Sequence, residues 1–170
     1  KTQGIDTFTP RILTLDVGEK TCSFSWAISH YDTQNDTCII DEVGEVAPGE
    51  KERIHLSNMW IHTILPLVRA FKFVHVVWDR WESSNYVSEL RTTYKIRAEQ
   101  YTVKGLDCKM LRSDMLNSKI SFPTPEVTIE QLPIGHNRLL ANFPRAHLLL
   151  QILTIRSASH IPIKPQGGND

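Results

Sequence analysis

The first clear structural signal in the sequence is Arg11-Ile-Leu-Thr-Leu-Asp-Val17, a short segment that is rich in β-forming residues and closed by Gly18. These features predict a buried strand that ends in a turn. A second apolar run, Phe73-Val-His-Val-Val-Trp78, follows a predicted helix. A strand that follows a helix can lie parallel to an earlier strand through a right-handed crossover. We therefore expect these two segments to form neighbouring parallel strands.

An aspartate closes each of these strands, Asp16 in the first and Asp79 in the second. If the strands are parallel neighbours, their ends lie ~5 Å apart and both carboxylates face the same carboxyl edge of the sheet. Hydrolysis of a phosphodiester needs an activated nucleophile and a stabilised leaving oxygen, which two divalent ions held ~4 Å apart by carboxylates can supply. For either aspartate alone, a turn or a helix cap explains the residue equally well. Together they favour a metal site.

The remaining pattern predicts a mixed sheet flanked by helices. Further strands are expected over residues 23–31, 37–46 and 96–103, and helices over residues 52–70, 83–94 and 106–117. We expect Pro66 to kink or end the first helix, Ser83 or Ser84 to cap the second, and Pro144 to begin a later one. Residues 161–170 are expected to form a loop. The order indicates an α/β fold with a central mixed sheet of five or more strands.

Length and composition set the broad class. The 170 residues, 41% of them hydrophobic, suit one domain with a real core. Nineteen basic residues balance nineteen acidic ones, so any charged surface must be local. Seven acids and one base lie between Asp32 and Glu52, whereas seven bases and three acids lie between Arg91 and Lys119. This predicts one acidic and one basic end of the fold.

Several classes of protein are disfavoured. The three cysteines have no CxxC spacing, which argues against structural zinc and a disulfide framework and for a reducing compartment. No apolar run is long enough for a membrane span, so we expect a soluble, intracellular protein without a membrane partner. Gly18-Glu-Lys-Thr21 lacks the glycine that precedes lysine in a phosphate-binding loop. A serine hydrolase is excluded because no base accompanies Ser83 or Ser84.

Three stretches, in this order, resemble the nuclease domain of viral DNA-packaging terminase large subunits. They are Leu13-Thr-Leu-Asp-Val-Gly18, Val77-Trp-Asp-Arg-Trp-Glu-Ser-Ser84 and Lys164-Pro-Gln-Gly-Gly-Asn-Asp170. The resemblance spans nearly the whole chain. It implies a ribonuclease H-like fold, with the first three strands antiparallel and strand four beside and parallel to strand one. It also implies two Mg²⁺ or Mn²⁺ ions held by Asp16, Asp79 and Asp170. Because the family's third motif often has paired aspartates, a neighbour of Asp170 is an alternative third ligand.

The resemblance further implies a setting and partners. Such a domain cuts concatemeric double-stranded viral DNA with little sequence preference and belongs to a longer chain with an N-terminal packaging ATPase. The partners expected through that longer protein are the portal protein and the small terminase subunit. The expected location is the cytoplasm of the infected host cell, transiently at the procapsid.

Other residues are secondary candidates. Glu19 is a candidate additional metal ligand and Lys164 a candidate for neutralising the scissile phosphate; the alternative for each is a solvated side chain. Basic residues that could contact DNA phosphates, or alternatively form a solvated face, are Arg80, Arg91, Lys95, Arg97, Lys104, Lys109, Arg112 and Lys119. Trp78 and Trp81 are expected to pack in the core. His55, His62 and His147 are expected to be ordinary helix residues.

Two other functions remain open from the sequence. A ribonuclease H-like module could grip DNA or a partner without catalysis, since a fold alone does not guarantee chemistry. A resolvase or transposase core on the same fold would instead prefer branched DNA or specific ends.

Overall fold

A computed structural model describes residues 8–17, 23–49, 53–79, 83–126, 131, 142–146, 148, 156–158 and 161–163. The strands in these ranges are β1 Arg11–Asp16, β2 Phe24–Asp32, β3 Thr37–Val46, β4 Phe73–Trp78, β5 Arg97–Gln100, β6 Ile120–Ser121, β7 Arg156–Ala158 and β8 Ile161–Ile163. The helices are α1 Leu56–Met59, α2 Leu65–Ala70, α3 Ser84–Thr92 and α4 Gly105–Leu116, with a π-helical segment, Trp60–Ile64, between α1 and α2.

Six of these strands form one mixed sheet in the order β5-β4-β1-β2-β3-β6. Strands β1, β2 and β3 are mutually antiparallel neighbours, and β4 is parallel to both β1 and β5. The short strand β6 extends the far edge parallel to β3. The predicted α/β architecture, with three antiparallel strands and a fourth strand parallel to the first, is therefore confirmed.

Strand β1 is buried on one face only. Leu13 and Leu15 are 0% and 5% exposed, whereas Ile12, Thr14 and Asp16 lie on the opposite, exposed face. The expected buried strand is thus buried on one face only. Each fully buried leucine on that face stabilises the fold by roughly 1.5–3 kcal/mol.

The core face of the sheet is covered by the helices. Trp60 of the π-helical segment stacks on Trp78 of β4, and Tyr86 of α3 completes the aromatic cluster at 4.9 and 5.6 Å between ring centroids. Ile64 and Leu90 are fully buried beside them. The packing role expected for Trp78 is confirmed by this cluster.

The helix predicted over residues 52–70 begins later, at Leu56, and continues past Pro66 to Ala70. In a regular α-helix the proline ring would clash with the carbonyl of residue 62 and leave that carbonyl without a donor. The π-helical turn lies immediately before this point and replaces the α-helical hydrogen-bond pattern there. A wider turn thus accommodates Pro66 without ending the helix.

The expectation of a loop over residues 161–170 is wrong for its first three residues. Ile161–Ile163 is strand β8 and pairs with β7 in a separate two-stranded sheet. An edge strand tolerates a proline such as Pro162 when its amide position needs no hydrogen-bond partner. Residues 164–170 lie outside the described ranges.

A short helical stretch near the carboxyl end begins at Pro144, as predicted. The Glu126 carboxylate accepts the backbone N–H groups of Arg145 and Ala146 at 3.3 and 3.2 Å, which satisfies donors that are otherwise free in a first helical turn. The Arg145 guanidinium donates to the Glu42 carboxylate on β3. This contact raises the pKa of Arg145 and attaches the stretch to the sheet.

The predicted separation into one acidic and one basic end of the fold is wrong. Asp36 of the acidic stretch and Lys119 of the basic stretch form a 2.8 Å ion pair beside β6.

Two further points concern β5 and the cysteines. The strand expected over residues 96–103 is confined to Arg97–Gln100. Cys38 and Cys108 are free thiols. Among the described residues, no helix has the length and apolarity needed to cross a membrane.

Candidate metal centre at the carboxyl edge of the sheet

Asp16 and Asp79 occupy neighbouring positions at the carboxyl ends of β1 and β4. Leu15 is the register partner of Trp78, and the Asp79 N–H continues the ladder by donating to the Leu15 carbonyl at 3.0 Å. The next residue along each strand is the aspartate. Since paired strands lie ~4.8 Å apart, the two aspartates have adjacent backbones.

The two carboxylates also share one face of the sheet. Leu15 and Trp78, the residues before them, are 5% and 0% exposed on the core face. Successive side chains of an extended strand point to opposite faces, so Asp16 and Asp79 project from the other face. Asp16 is exposed and Asp79 half-buried, which leaves this edge accessible from solvent.

The residue types fit a hard divalent cation. Mg²⁺ and Mn²⁺ prefer oxygen ligands, and Mg²⁺ usually keeps several waters beside one or two protein carboxylates. Within the described ranges, no three His, Cys, Asp or Glu side chains form a group able to hold a metal ion. The expected third acid, Asp170, lies outside those ranges, as do the secondary candidates Glu19 and Lys164.

Ser83 ties the end of β4 to the start of α3. Its hydroxyl donates to the Asp79 carbonyl at 2.8 Å and accepts the Gln100 side-chain amide at 2.9 Å. The expected helix cap is therefore right in position but wrong in its hydrogen bond, because the Ser83 side chain caps no helical N–H. Sequence reasoning missed this contact, since Gln100 lies 17 residues away on β5.

Two further polar residues lie in the same row across the sheet. Ser25 of β2 is the register partner of Asp16, and Glu45 of β3 is the register partner of Ser25. Directly paired residues share a face, so Glu45 faces the same side as Asp16 about two strand spacings, or ~10 Å, away. Only the register of the β2–β3 hairpin reveals this acid, and no sequence motif marks it.

The basic candidates are divided between the two ends of the sheet. Lys104 follows β5 at the carboxyl edge, where its N–H donates to Asp107 at 2.7 Å. Lys95 precedes β5 at the amino edge with a φ of 56°, and Arg91 in the last turn of α3 donates Nε to the Ala98 carbonyl at 2.6 Å. Arg80 is outside the described residues, as are Trp81 and His147.

Comparison with solved structures places the fold. This chain is similar to the large terminase of bacteriophage HK97, with a TM-score of 0.52 and 12% identity over 69% of this chain and 30% of that one. It is also similar to the Mn-soaked human cytomegalovirus terminase nuclease domain, with a TM-score of 0.52 and 12% identity over 98% of this chain and 82% of that one. No protein-family model and no curated protein matches the sequence.

The fold is therefore ribonuclease H-like, of the kind found in terminase nuclease domains. The mixed sheet, with β4 parallel to β1 and the first three strands antiparallel, carries this likeness. The chain spans 30% of the HK97 large terminase, so the likeness concerns one part of that protein.

Proposed function

We propose that this chain is a metal-dependent endonuclease domain that cleaves double-stranded DNA. The observation that supports the proposal is the placement of Asp16 and Asp79 side by side, on one face and at one edge of a sheet with the terminase nuclease topology. A turn or cap role explains either aspartate alone but not their adjacency. Two carboxylates side by side at one edge of a sheet can provide oxygen ligands to the same divalent cation.

The protein's own contribution is to hold oxygen ligands at a fixed spacing. When bound, two Mg²⁺ or Mn²⁺ ions would supply a polarised water as nucleophile and stabilise the leaving oxygen. Asp16 and Asp79 would each provide carboxylate oxygens, and Asp170 or the residue after it would complete the site. Glu19 remains a secondary ligand candidate, and Lys164 a candidate for neutralising the phosphate.

DNA would approach the exposed carboxyl edge. Lys104 follows β5 at this edge, and Arg80 comes directly after Asp79 in the sequence, so both are candidates for phosphate contacts. Arg91 and Lys95 lie at the amino edge and would contact phosphates further along the duplex. Such contacts give affinity without sequence preference and weaken as salt rises.

The biological setting that fits this activity is viral genome packaging. In that setting the domain would cut concatemeric DNA in the infected host cytoplasm, transiently at the procapsid. A longer protein with an N-terminal packaging ATPase would supply contacts with the portal protein and the small terminase subunit.

Cleavage of supercoiled plasmid tests the proposal. We expect nicked and linear products with Mn²⁺ or Mg²⁺, none with excess chelator, and none from Asp16→Ala. Undiminished cleavage by Asp16→Ala would remove the assignment.

The same preparation separates the alternatives. DNA binding without metal binding in calorimetry would support a non-catalytic module. A strong preference for branched over linear DNA would support a resolvase.

A further inference from the structure

We propose that Ser83 and Gln100 are positioning residues that hold Asp79 in its metal-binding orientation. This inference rests on the proposed function, because it concerns the same site. It assigns a task to a hydrogen-bonded pair, the buried Ser83 and the exposed Gln100, in which the Ser83 side chain caps no helical N–H.

The backbone of Asp79 is fixed on both sides. Its N–H donates to the Leu15 carbonyl at 3.0 Å, as the last step of the β1–β4 ladder. On the β5 side the ladder ends one residue earlier, where the Tyr101 N–H donates to the Trp78 carbonyl at 2.9 Å. The Asp79 carbonyl accepts the Ser83 hydroxyl at 2.8 Å instead. Both peptide groups that flank the Asp79 Cα are therefore held.

Ser83 is itself held in place by other elements. It is 0% exposed, and its carbonyl accepts the Val87 N–H at 2.9 Å as α3 begins. A hydroxyl has one proton to donate, and the Gln100 amide at 2.9 Å occupies its acceptor side. The hydroxyl proton of Ser83 is therefore directed at the Asp79 carbonyl, and this hydrogen bond has one geometry.

Gln100 couples the arrangement to the sheet. It is the register partner of Trp78 on the strand beyond β4, so its backbone is fixed relative to the residue before Asp79. The hydroxyl of a serine at an N-cap position normally accepts a hydrogen bond from a backbone N–H of the first helical turn. Here the Ser83 hydroxyl instead donates to the carbonyl of Asp79 at the end of β4. We therefore assign to this contact the orientation of Asp79.

Removal of the hydroxyl would take away the hydrogen bond that holds the Asp79 carbonyl towards α3. The carboxylate would then sample orientations in which it no longer meets the cation that Asp16 binds. Partners behind the ligands of a metal site change metal affinity by about 10- to 100-fold when removed. We expect Ser83→Ala to weaken Mn²⁺ binding about tenfold, and Gln100→Ala to weaken it by a smaller factor.

The experiment is Mn²⁺ titration calorimetry on the full chain without DNA, with the metal-free melting temperature measured on the same samples. Ser84→Ala is the matched control, because Ser84 is the adjacent serine and is exposed. We expect the control to bind Mn²⁺ as the wild type does. A merely structural role for Ser83 would lower the melting temperature but leave the affinity of the folded protein unchanged.

The outcomes separate this inference from the proposed function. Mn²⁺ affinity within twofold of wild type in folded Ser83→Ala would overturn the positioning role while leaving the metal site intact. If Ser83→Ala does not fold, the exposed residue Gln100 decides, and unchanged affinity in Gln100→Ala overturns the role. A wild-type chain that binds no Mn²⁺ would overturn the metal site, and the inference with it.

Discussion

Asp16 and Asp79 stand next to each other at the carboxyl edge of the sheet, although 62 residues separate them in sequence. Their adjacency follows from the register of β1 and β4, in which Leu15 pairs with Trp78 and the Asp79 N–H donates to the Leu15 carbonyl. The buried leucine and tryptophan fix which face each strand turns to the core. They thereby direct both carboxylates to the opposite face.

Replacing either aspartate with asparagine should abolish most cleavage. Asp16→Asn and Asp79→Asn keep the side-chain shape but remove the charge that binds the cation, so we expect at least a ~100-fold loss of plasmid cleavage with Mn²⁺, equivalent to about 2.7 kcal/mol. Single-turnover cleavage rates at saturating metal measure the effect.

Glu45→Gln is the control for this pair of variants. It removes one negative charge from the same face, about two strand spacings from Asp16. Side chains stand roughly perpendicular to a sheet, so this separation persists above it. We expect less than a tenfold change. A loss in Glu45→Gln equal to that in Asp16→Asn would mean that general charge, and not a specific pair, governs activity.

Divalent metal should stabilise the fold through the same two residues. An ion that binds only the folded chain adds about 2.7 kcal/mol at 100 times its dissociation constant. With Mn²⁺, the wild-type melting temperature should rise and that of Asp79→Asn should not. An equal rise in both would place the stabilising ion elsewhere.

The ion pair of Asp36 with Lys119 should make stability depend on acid pH. The hydrogen bond from Lys119, and then that from Tyr31, hold the pKa of Asp36 below its usual value of 3.8. A lowered pKa in the folded state stabilises the fold above the unfolded value near 4, and this contribution is lost as the pH falls through the folded value. Wild type should therefore melt higher than Asp36→Asn at pH 6, and the difference should shrink towards pH 2.

Lys119→Gln removes the positive charge of the same ion pair. It should show the same flattened profile as Asp36→Asn in thermal melts across this pH range. Because the pair is exposed, about 1 M salt should reduce both differences. A pH profile of Asp36→Asn identical to wild type would show that the pair contributes nothing to stability.

Gly44 should not tolerate a methyl group. A Cβ built there would lie 1.9 Å from Cζ2 of Trp26, its partner across β2 and β3. The indole ring must shift to admit alanine, and such overpacking costs about 1–3 kcal/mol. Urea unfolding of Gly44→Ala measures this cost. In a Trp26→Leu background the cost should fall, and an unchanged cost would locate the strain in the backbone instead.

The positions of the two aspartates could be predicted from the sequence because the physics is local. Short runs rich in β-forming residues define β1 and β4, and the helix between them allows the two strands to lie parallel. An aspartate at the carboxyl end of each parallel strand must then lie at the same edge of the sheet. The helix through Pro66 was predicted less well, because proline's effect depends on whether the preceding turn can widen into a π-helix.

The contacts that support Asp79 could not be predicted, because they depend on register between distant segments. Ser83 has the composition of an ordinary helix cap, and nothing in its neighbourhood indicates that Gln100 will meet its hydroxyl. Glu45 is similarly one of several acids along the second and third strands. Only the pairing of Ser25 with both Asp16 and Glu45 sets it on the same face.

The most direct measurement is an anomalous difference map from a crystal of the chain soaked in Mn²⁺. We expect density for two ions ~4 Å apart, in contact with the carboxylates of both Asp16 and Asp79, and a third protein ligand near Asp170. A map from a Mn²⁺-soaked crystal with both carboxylates ordered but no ion between them would contradict this expectation.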